Sequence, residues 1–316
     1  MKPCLVQEPI VSAKVQQACA SDPFSLQSKQ LQPDYVSSHH LISVKQLMPL
    51  IKIIENNIFA IGRYWGNLNP SINGNGIISS MNTGIDVADL NWTWNEKPLV
   101  DNDVMIINQI KKNYKELKLP FWWWVYPCGQ SRTTKEILQK EGFNYLEAIP
   151  CLAVDVSKIP LTMRRNDDIE ISFVKDESEL KIWEDISFAG FEMPQETKKQ
   201  YNKFVASFDL SEGSPQKLFL ACWMGQPIAT ALLFLQSDTV GVYFVTTLAA
   251  YRNKGIALAL ILGSMKYAKT SGYKYCVLQS SKEGLDVYLR AGFKEYCRAD
   301  VYCLAQKIVT THVVRL

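Results

Sequence analysis

Thr246-Thr247-Leu248-Ala249-Ala250-Tyr251-Arg252-Asn253-Lys254-Gly255-Ile256-Ala257 joins an apolar β-type run, Val240–Thr247, to an apolar helical run, Ile256–Thr270. Arg252 to Ala257 fits the pattern R-x-x-G-x-A. Gly255 has no side chain, so a ligand can approach its backbone closely. The first amides of the following helix lack intrahelical partners, and the helix dipole adds partial positive charge there. Together they make a cradle for a pyrophosphate, to which Arg252 and Lys254 can add direct charge. Taken alone, the segment also reads as a basic loop with a capping glycine, because patterns this short are common.

Outward from this junction the elements follow in a clear order. Ile169–Val174 reads as a strand, and Glu177–Ala189 and Glu196–Phe208 as helices. Leu218–Trp223, Ile228–Gln236 and Val240–Thr247 are three β-type runs. Short turns at Met224–Pro227 and Ser237–Asp238 should fold them into an antiparallel meander. After the helix Ile256–Thr270, closed by Gly272, come a strand at Tyr273–Gln279 and a short helix at Gly284–Arg290. Phe293–Leu304 is the closing strand or strands. The order is βααβββαβαβ, an α/β chain with a mixed sheet.

A second motif follows the first: Ser280-Ser281-Lys282-Glu283-Gly284-Leu285-Asp286-Val287-Tyr288-Leu289-Arg290-Ala291-Gly292-Phe293. The two motifs in this sequence, with this order of elements, resemble the GNAT (Gcn5-related N-acetyltransferase) superfamily over roughly Ile169 to Leu304. The resemblance implies that R/Q-x-x-G-x-G/A binds the pyrophosphate of acetyl-CoA as co-substrate. Arg252, Asn253, Lys254, Gly255, Ile256 and Ala257 would hold it through main-chain amides. Backbone groups of Val245, Thr246 and Thr247 would run beside the pantetheine arm. It further implies a β-bulge on the fourth strand of the unit, splaying it from the fifth to open the cofactor cleft. Tyr288 matches the family's general acid. Ser281 stands where many members have Asn, and a side-chain bond to the cofactor follows from that position. Ala257 replaces the commoner second glycine, which the pattern permits.

The implied activity is acetyl transfer to a primary amine of an acceptor by direct attack on the thioester. The alternative from another class is a non-catalytic acyl-CoA-binding or protein-interaction module. An alkyl amine has pKa ~10.4, so something must take its proton, while a departing thiolate of pKa ~8.5 is readily reprotonated by a phenol at Tyr288. Glu192 and a water relayed to a backbone carbonyl are both candidates for the base. The plainer readings are a solvated surface acid at Glu192 and a core-packed tyrosine at Tyr288. In this superfamily the acceptor is set by segments that here correspond to Phe191–Thr197 and Glu295–Tyr302. The acceptor is a small-molecule or peptide amine.

The first half reads differently. Six of the eight tryptophans lie before residue 150. Val104–Leu117 is an amphipathic helix, Phe121–Tyr126 (FWWWVY) a dense β-type run, Thr133–Glu141 a helix stopped by Gly142, and Cys151–Val156 a strand. Ser43–Asn56 has helical spacing despite Pro49, and Asn67–Gly84 reads as loops around a short strand. Leu138-x-x-x-Gly142-Phe143 parallels Tyr288-x-x-x-Gly292-Phe293, with Leu138 in place of the tyrosine. The region before Val104 has no basic Gly-x-Gly/Ala loop. This half resembles a degenerate GNAT-like unit that packs on the active one and shapes the acceptor cleft; an unrelated α/β domain is the other reading. Trp122, Trp123 and Trp124 must alternate faces on a strand.

Composition bounds the rest. With 316 residues the chain has room for about two domains. Hydrophobic residues make up 47% and charged residues 21%, an ordinary globular balance. Lys plus Arg is 34 and Asp plus Glu 31, too even for nucleic acid or an anionic membrane as main partner. Eight scattered cysteines and three histidines, without a Cys-x-x-Cys pair, offer no metal site. Free thiols point to a reducing, cytoplasmic setting. The opening MKPCLVQEPIVSAKVQQACA has no sustained apolar core and does not read as a secretory signal. The most apolar stretch, Leu218 to Leu235, is split by Gly225, Gln226 and Pro227 and reads as a hairpin, not a membrane span. The expected organisation is a poorly ordered lead-in over 1–34 with one short helix near Ser12–Cys19, a degenerate unit over 35–157, a linker at Ser157–Asp168, and a GNAT unit over 169–316. The oligomeric state is left open.

Overall fold

The computed structural model describes residues 44–68, 76–160 and 168–304. The expected lead-in, its short helix near Ser12–Cys19, and residues 161–167 of the linker lie outside the described residues. In chain order the elements are α1 (Val44–Leu68), β1 (Ile78–Met81), β2 (Trp92–Asn95), α2 (Val104–Leu117), β3 (Trp122–Val125), α3 (Arg132–Lys140) and β4 (Phe143–Asp155). The second half adds β5 (Ile169–Phe173), α4 (Glu177–Gly190), α5 (Lys198–Val205), β6 (Gln216–Trp223), β7 (Gln226–Gln236), β8 (Thr239–Thr247), α6 (Ile256–Thr270), β9 (Tyr275–Gln279), α7 (Leu285–Arg290) and β10 (Lys294–Leu304).

All ten strands share one mixed sheet, in the order β1-β2-β3-β10-β4-β9-β8-β7-β6-β5. The order around the β10–β4 pair is symmetric as far as β1 and β7, beyond which the second half adds β6 and β5. On one side β3 is parallel to β2, and β2 antiparallel to β1; on the other β9 is parallel to β8, and β8 antiparallel to β7. Each half therefore repeats the same strand–helix–strand pattern, with α2 and α6 as the crossovers. The last strand of each half leaves its own neighbours: β4 pairs with β9 of the second half, and β10 pairs with β3 of the first. The sequence predicts a unit packed on a unit. The halves instead continue one another's sheet.

Burial explains the layers. On β4, Cys151 and Ala153 face one core, with α1, α4 and α5. Leu152 and Val154 face the other, with α6. The tryptophan run obeys the same alternation: Trp123 packs with α2 and α3, whereas Trp124 packs on the cluster that holds α1. The β6–β7 hairpin turns at Met224 and Gly225, both at positive φ (49° and 80°), the backbone of a primed turn whose twist suits paired strands. Among the described residues no helix is long and apolar enough to cross a membrane. All six described cysteines are free thiols.

β2 has no counterpart in the sequence reading. Its WTWN run is short and flanked by asparagines, which resemble loop residues. Here they are buried brackets. Asn91 donates to the carbonyls of Ile85, Val87 and Pro120, and Asn95 accepts from Trp123 Nε1 at 2.9 Å. Buried amides with their bonds satisfied hold backbone that a ladder does not reach.

Trp65, at the end of α1, joins the two halves. It is fully buried and lies 5.6–6.5 Å from the rings of Trp92, Phe204, Phe208, Tyr243 and Phe244. Its Nε1 donates to Gln216 Oε1 at 3.3 Å. Trp65→Ala should cost about 3–5 kcal/mol of unfolding free energy, the usual range for emptying a large aromatic site. Denaturant unfolding should show that loss in a single shared transition, and two separate transitions would count against a common core.

Candidate functional site

The site begins with a defect in a strand. Thr230 of β7 pairs with Thr246, and Leu232 with Tyr243, so Phe244 and Val245 together oppose Ala231. That is a β-bulge, and Phe244 takes φ 50°, a rare conformation for a bulky residue. Thr230 Oγ1 donates to the Phe244 carbonyl at 3.0 Å and fixes the turn-out. Parallel pairing between β8 and β9 runs only from Thr239–Tyr275 to Gly241–Val277. Beyond it β8 continues to Thr247 and β9 to Gln279 without joining, and the sheet opens. The splay implied by the family resemblance is therefore present.

Below the opening, the chain passes through Asn253 (φ 63°) and Gly255 (φ 81°) before entering α6. The first backbone bond into the helix is from the Ala259 amide to the Gly255 carbonyl at 3.0 Å. Ile256, Ala257 and Leu258 sit in the first turn, where amides have no helical partner and point out of the helix end. A Cβ on Gly255 would meet nothing within 4 Å, so the space before these amides is open.

A cleft of about 760 Å³ collects these parts. Val245, Thr246, Thr247, Arg252, Asn253, Gly255, Ile256, Ala257, Ser281 and Tyr288 all line it. Lys254 does not. Its ammonium sits over the rings of Trp223 and Tyr251, 5.4 and 5.2 Å from their centroids. The expectation of direct charge from Arg252 also needs correction. Arg252 Nε donates to the Thr247 carbonyl at 3.2 Å, Nη2 to the Gly190 carbonyl at 2.9 Å, and Nη1 lies 3.0 Å from Glu192 Oε1. Its own amide bonds the Ala249 carbonyl at 3.3 Å. Arg252 is a strut tying the loop to the end of α4, and the cradle is left to the backbone. Glu192, at φ 55°, is held at the exposed rim by that same arginine.

Tyr288 is half-buried on α7, edge-on to Phe293 at 6.2 Å. Burial pushes its phenol up to about 12. A Cβ on Gly284 would come within 2.9 Å of its ring, so that glycine makes room for the tyrosine. Ser281 Oγ accepts from the Gly284 amide at 3.1 Å in the turn before α7, leaving its own proton to donate. Gln279 is a site residue the sequence reading missed, although a lone glutamine ending the apolar strand YCVLQ was a signal. Its Nε2 and Thr247 Oγ1 are buried in the cleft wall without a hydrogen-bond partner. An amide-bearing chain lying in the cleft would satisfy both. The free first-turn amides, the open space at Gly255 and these two unpaired atoms together fit a diphosphate joined to an amide-rich arm.

The corresponding place in the first half is closed. Asp103 accepts from the Val100 amide at 2.9 Å, and Asp101 and Asp103 put carboxylates at the start of α2. Negative charge there opposes an anion. Leu138, opposite in motif to Tyr288, is fully buried and apolar. Among the described residues no group of His, Cys, Asp or Glu could hold a metal ion.

Residues 180–293 match the Acetyltransferase (GNAT) family. A solved GCN5-related N-acetyltransferase from Kribbella flavida is 16% identical, with TM-score 0.59 over 80% of this chain and 96% of its own. A GCN5-related N-acetyltransferase from Sphaerobacter thermophilus is 14% identical, with TM-score 0.54 over 72% of this chain and 75% of its own. A conserved protein of unknown function from Staphylococcus epidermidis is 11% identical, with TM-score 0.56 over 75% and 94%. At these identities the likeness is one of fold. Against curated protein sequences the chain finds no match.

The strut can be tested without a ligand. Arg252→Ala should cost about 1–3 kcal/mol by urea denaturation, because it removes charged bonds to two carbonyls. Glu192→Gln should cost under ~0.5 kcal/mol, since that ion pair is solvated. Equal costs would mean the ion pair, not the carbonyl clamp, holds the loop.

Proposed function

We propose, from the match of residues 180–293 to the GNAT acetyltransferase family, that the chain is an acetyl-CoA-dependent N-acetyltransferase acting on a primary amine. The observation that carries the reading is the opening between β8 and β9, which lies beside the unpaired amides of α6 and shares its cleft with Tyr288. A sheet opened at that point exposes backbone donors to a reacting carbonyl and keeps the phosphate cradle within the same cavity.

The amides of Ile256, Ala257 and Leu258, with the backbone at Gly255, would hold the diphosphate. Thr247 Oγ1 and Gln279 Nε2 would meet the amide arm. Bound acetyl-CoA supplies an acyl group already activated as a thioester. Unpaired amides of the bulged part of β8 would stabilise the oxyanion as the amine attacks, the kind of fixed donor that is aimed at charge before it forms. As the carbon–sulfur bond breaks, the Tyr288 proton passes to the departing thiolate. The phenol keeps its proton at neutral pH and is there a donor, not a base. The amine's proton would leave to water at the cleft mouth. A cytoplasmic location accords with the free cysteines.

Two tests follow. Gly255→Glu puts a carboxylate into the cradle and should abolish acetyl-CoA binding by calorimetry; unchanged affinity would falsify the assignment. Tyr288→Phe should lower kcat by about 10²–10⁴-fold, the range for a lost general acid, and leave acetyl-CoA affinity within about twofold. In wild type the rate should rise with pH as the acceptor amine loses its proton, toward ~10.4. It should not fall until the Tyr288 phenol itself ionises near 12. Tight acetyl-CoA binding with no thiol release across an amine library would make the protein a binding module instead.

A further inference from the structure

An irregularity in β10 brings two thiols face to face. The β10–β4 ladder runs through Lys294–Ala153 and Glu295–Leu152 and then steps to Cys297–Cys151, so Tyr296 is an extra residue on the β10 side. A regular ladder would set Tyr296 opposite Cys151 and Cys297 opposite Pro150. The bulge moves Cys297 one place along, as bulges re-aim the side chains beside them. Among the described residues no other two cysteines are strand partners.

Both side chains lie on the α1 side of the sheet. Cys151 is fully buried in the cluster that holds α1, and Cys297 packs against that cluster while half-buried. The two thiols are within hydrogen-bond reach of each other. Directly opposed residues of an antiparallel pair have Cα atoms about 4.5–5.5 Å apart, inside the ~4.4–6.8 Å that a disulfide spans. Access is divided between them. A small oxidant can reach Cys297, whereas Cys151 is shielded. The bond to Cys297 and burial push the Cys151 thiol well up, so it keeps its proton and waits for its neighbour to react.

We propose that Cys151 and Cys297 are a redox pair, and that their disulfide fastens the two interleaved halves to each other. Each thiol stands on the last strand of its half, so the bridge closes a covalent loop around most of the second half. Hydrogen peroxide is the oxidant. The Cys297 sulfur attacks one peroxide oxygen, the O–O bond breaks, and a sulfenic acid and one water result. The Cys151 sulfur then attacks that sulfur. The S–S bond forms, the S–O bond breaks, and a second water leaves with the Cys151 proton. Two thiols lose two electrons and the peroxide gains them. A thiol reductant restores the pair by exchange. In a reducing compartment such bridges are transient and sense oxidation. The same row of the sheet continues from Cys151 to Gln279 on β9, so the bridge ends one strand from the cleft wall. The inference stands apart from the acyl-transfer reading.

The test treats the full chain with a small molar excess of hydrogen peroxide, quenches it with catalase and alkylates before digestion. Mass mapping should find the Cys151 and Cys297 peptides joined, and dithiothreitol should separate them. The urea midpoint should rise by about 1 M on oxidation, because the loop constrains the unfolded chain, and return on reduction. Cys297→Ser should remove both effects, and Cys151→Ser should do the same. Should serine in the core cost Cys151→Ser its fold, Cys297→Ser alone decides. Unbridged peptides, a bridge to a different cysteine, or an undiminished midpoint shift in Cys297→Ser overturns the pair. A mapped bridge that leaves the midpoint unmoved overturns the fastening role.

Discussion

The rest of the site depends on one residue held in a conformation it would not choose. Phe244 at φ 50° makes the bulge, the bulge turns β8 away from β9, and the opening admits a ligand to the backbone. Such a backbone costs of order 1–3 kcal/mol and persists only where the surroundings over-determine it. They do so here. The Phe244 ring is fully buried, 5.4–5.7 Å from those of Trp183, Trp65 and Phe191. Thr230 fixes its carbonyl. The aromatic core that joins the halves thus also maintains the strain at the opening of the sheet.

Electrostatics in the cleft are carried by the backbone more than by side chains. Arg252 looks like a phosphate ligand in sequence, yet its guanidinium is spent on two carbonyls and a carboxylate. Lys254 lies on aromatic faces outside the wall. What remains from the first motif is a helix terminus with a glycine before it, a donor array needing no rearrangement to meet an anion, and Arg290 of α7 also lines the cleft. Gly190 serves the same construction, since a Cβ there would sit 2.6 Å from Thr246 Oγ1 and push α4 off the strand.

Much of this was legible before the fold. Val104–Leu117 and Ile256–Thr270 have the bounds their apolar spacing indicates, and nearly all the residues named from the two motifs line one cleft. The illegible parts have physical reasons. TVGVYFVTT alternates like any strand, and nothing in it marks Phe244 as the bulge, because tertiary packing sets that φ. β2 was masked by asparagines whose amides work inside the protein. The partners of Arg252 sit at the end of α4 and on β8. Pairings of this kind are fixed by topology, and a local pattern carries no trace of them.

The interleaving of β4 and β10 has an evolutionary reading. Two like units that exchange their final strands form a swapped dimer, and a peptide link turns that dimer into this chain. In such an arrangement neither copy can be discarded, because each closes the other's fold. One copy is therefore free to lose its ligand and its reactive side chain while remaining indispensable as scaffolding. In the first half, carboxylates stand at the head of α2 and a leucine where the second half has its tyrosine, and neither change disturbs the shared sheet.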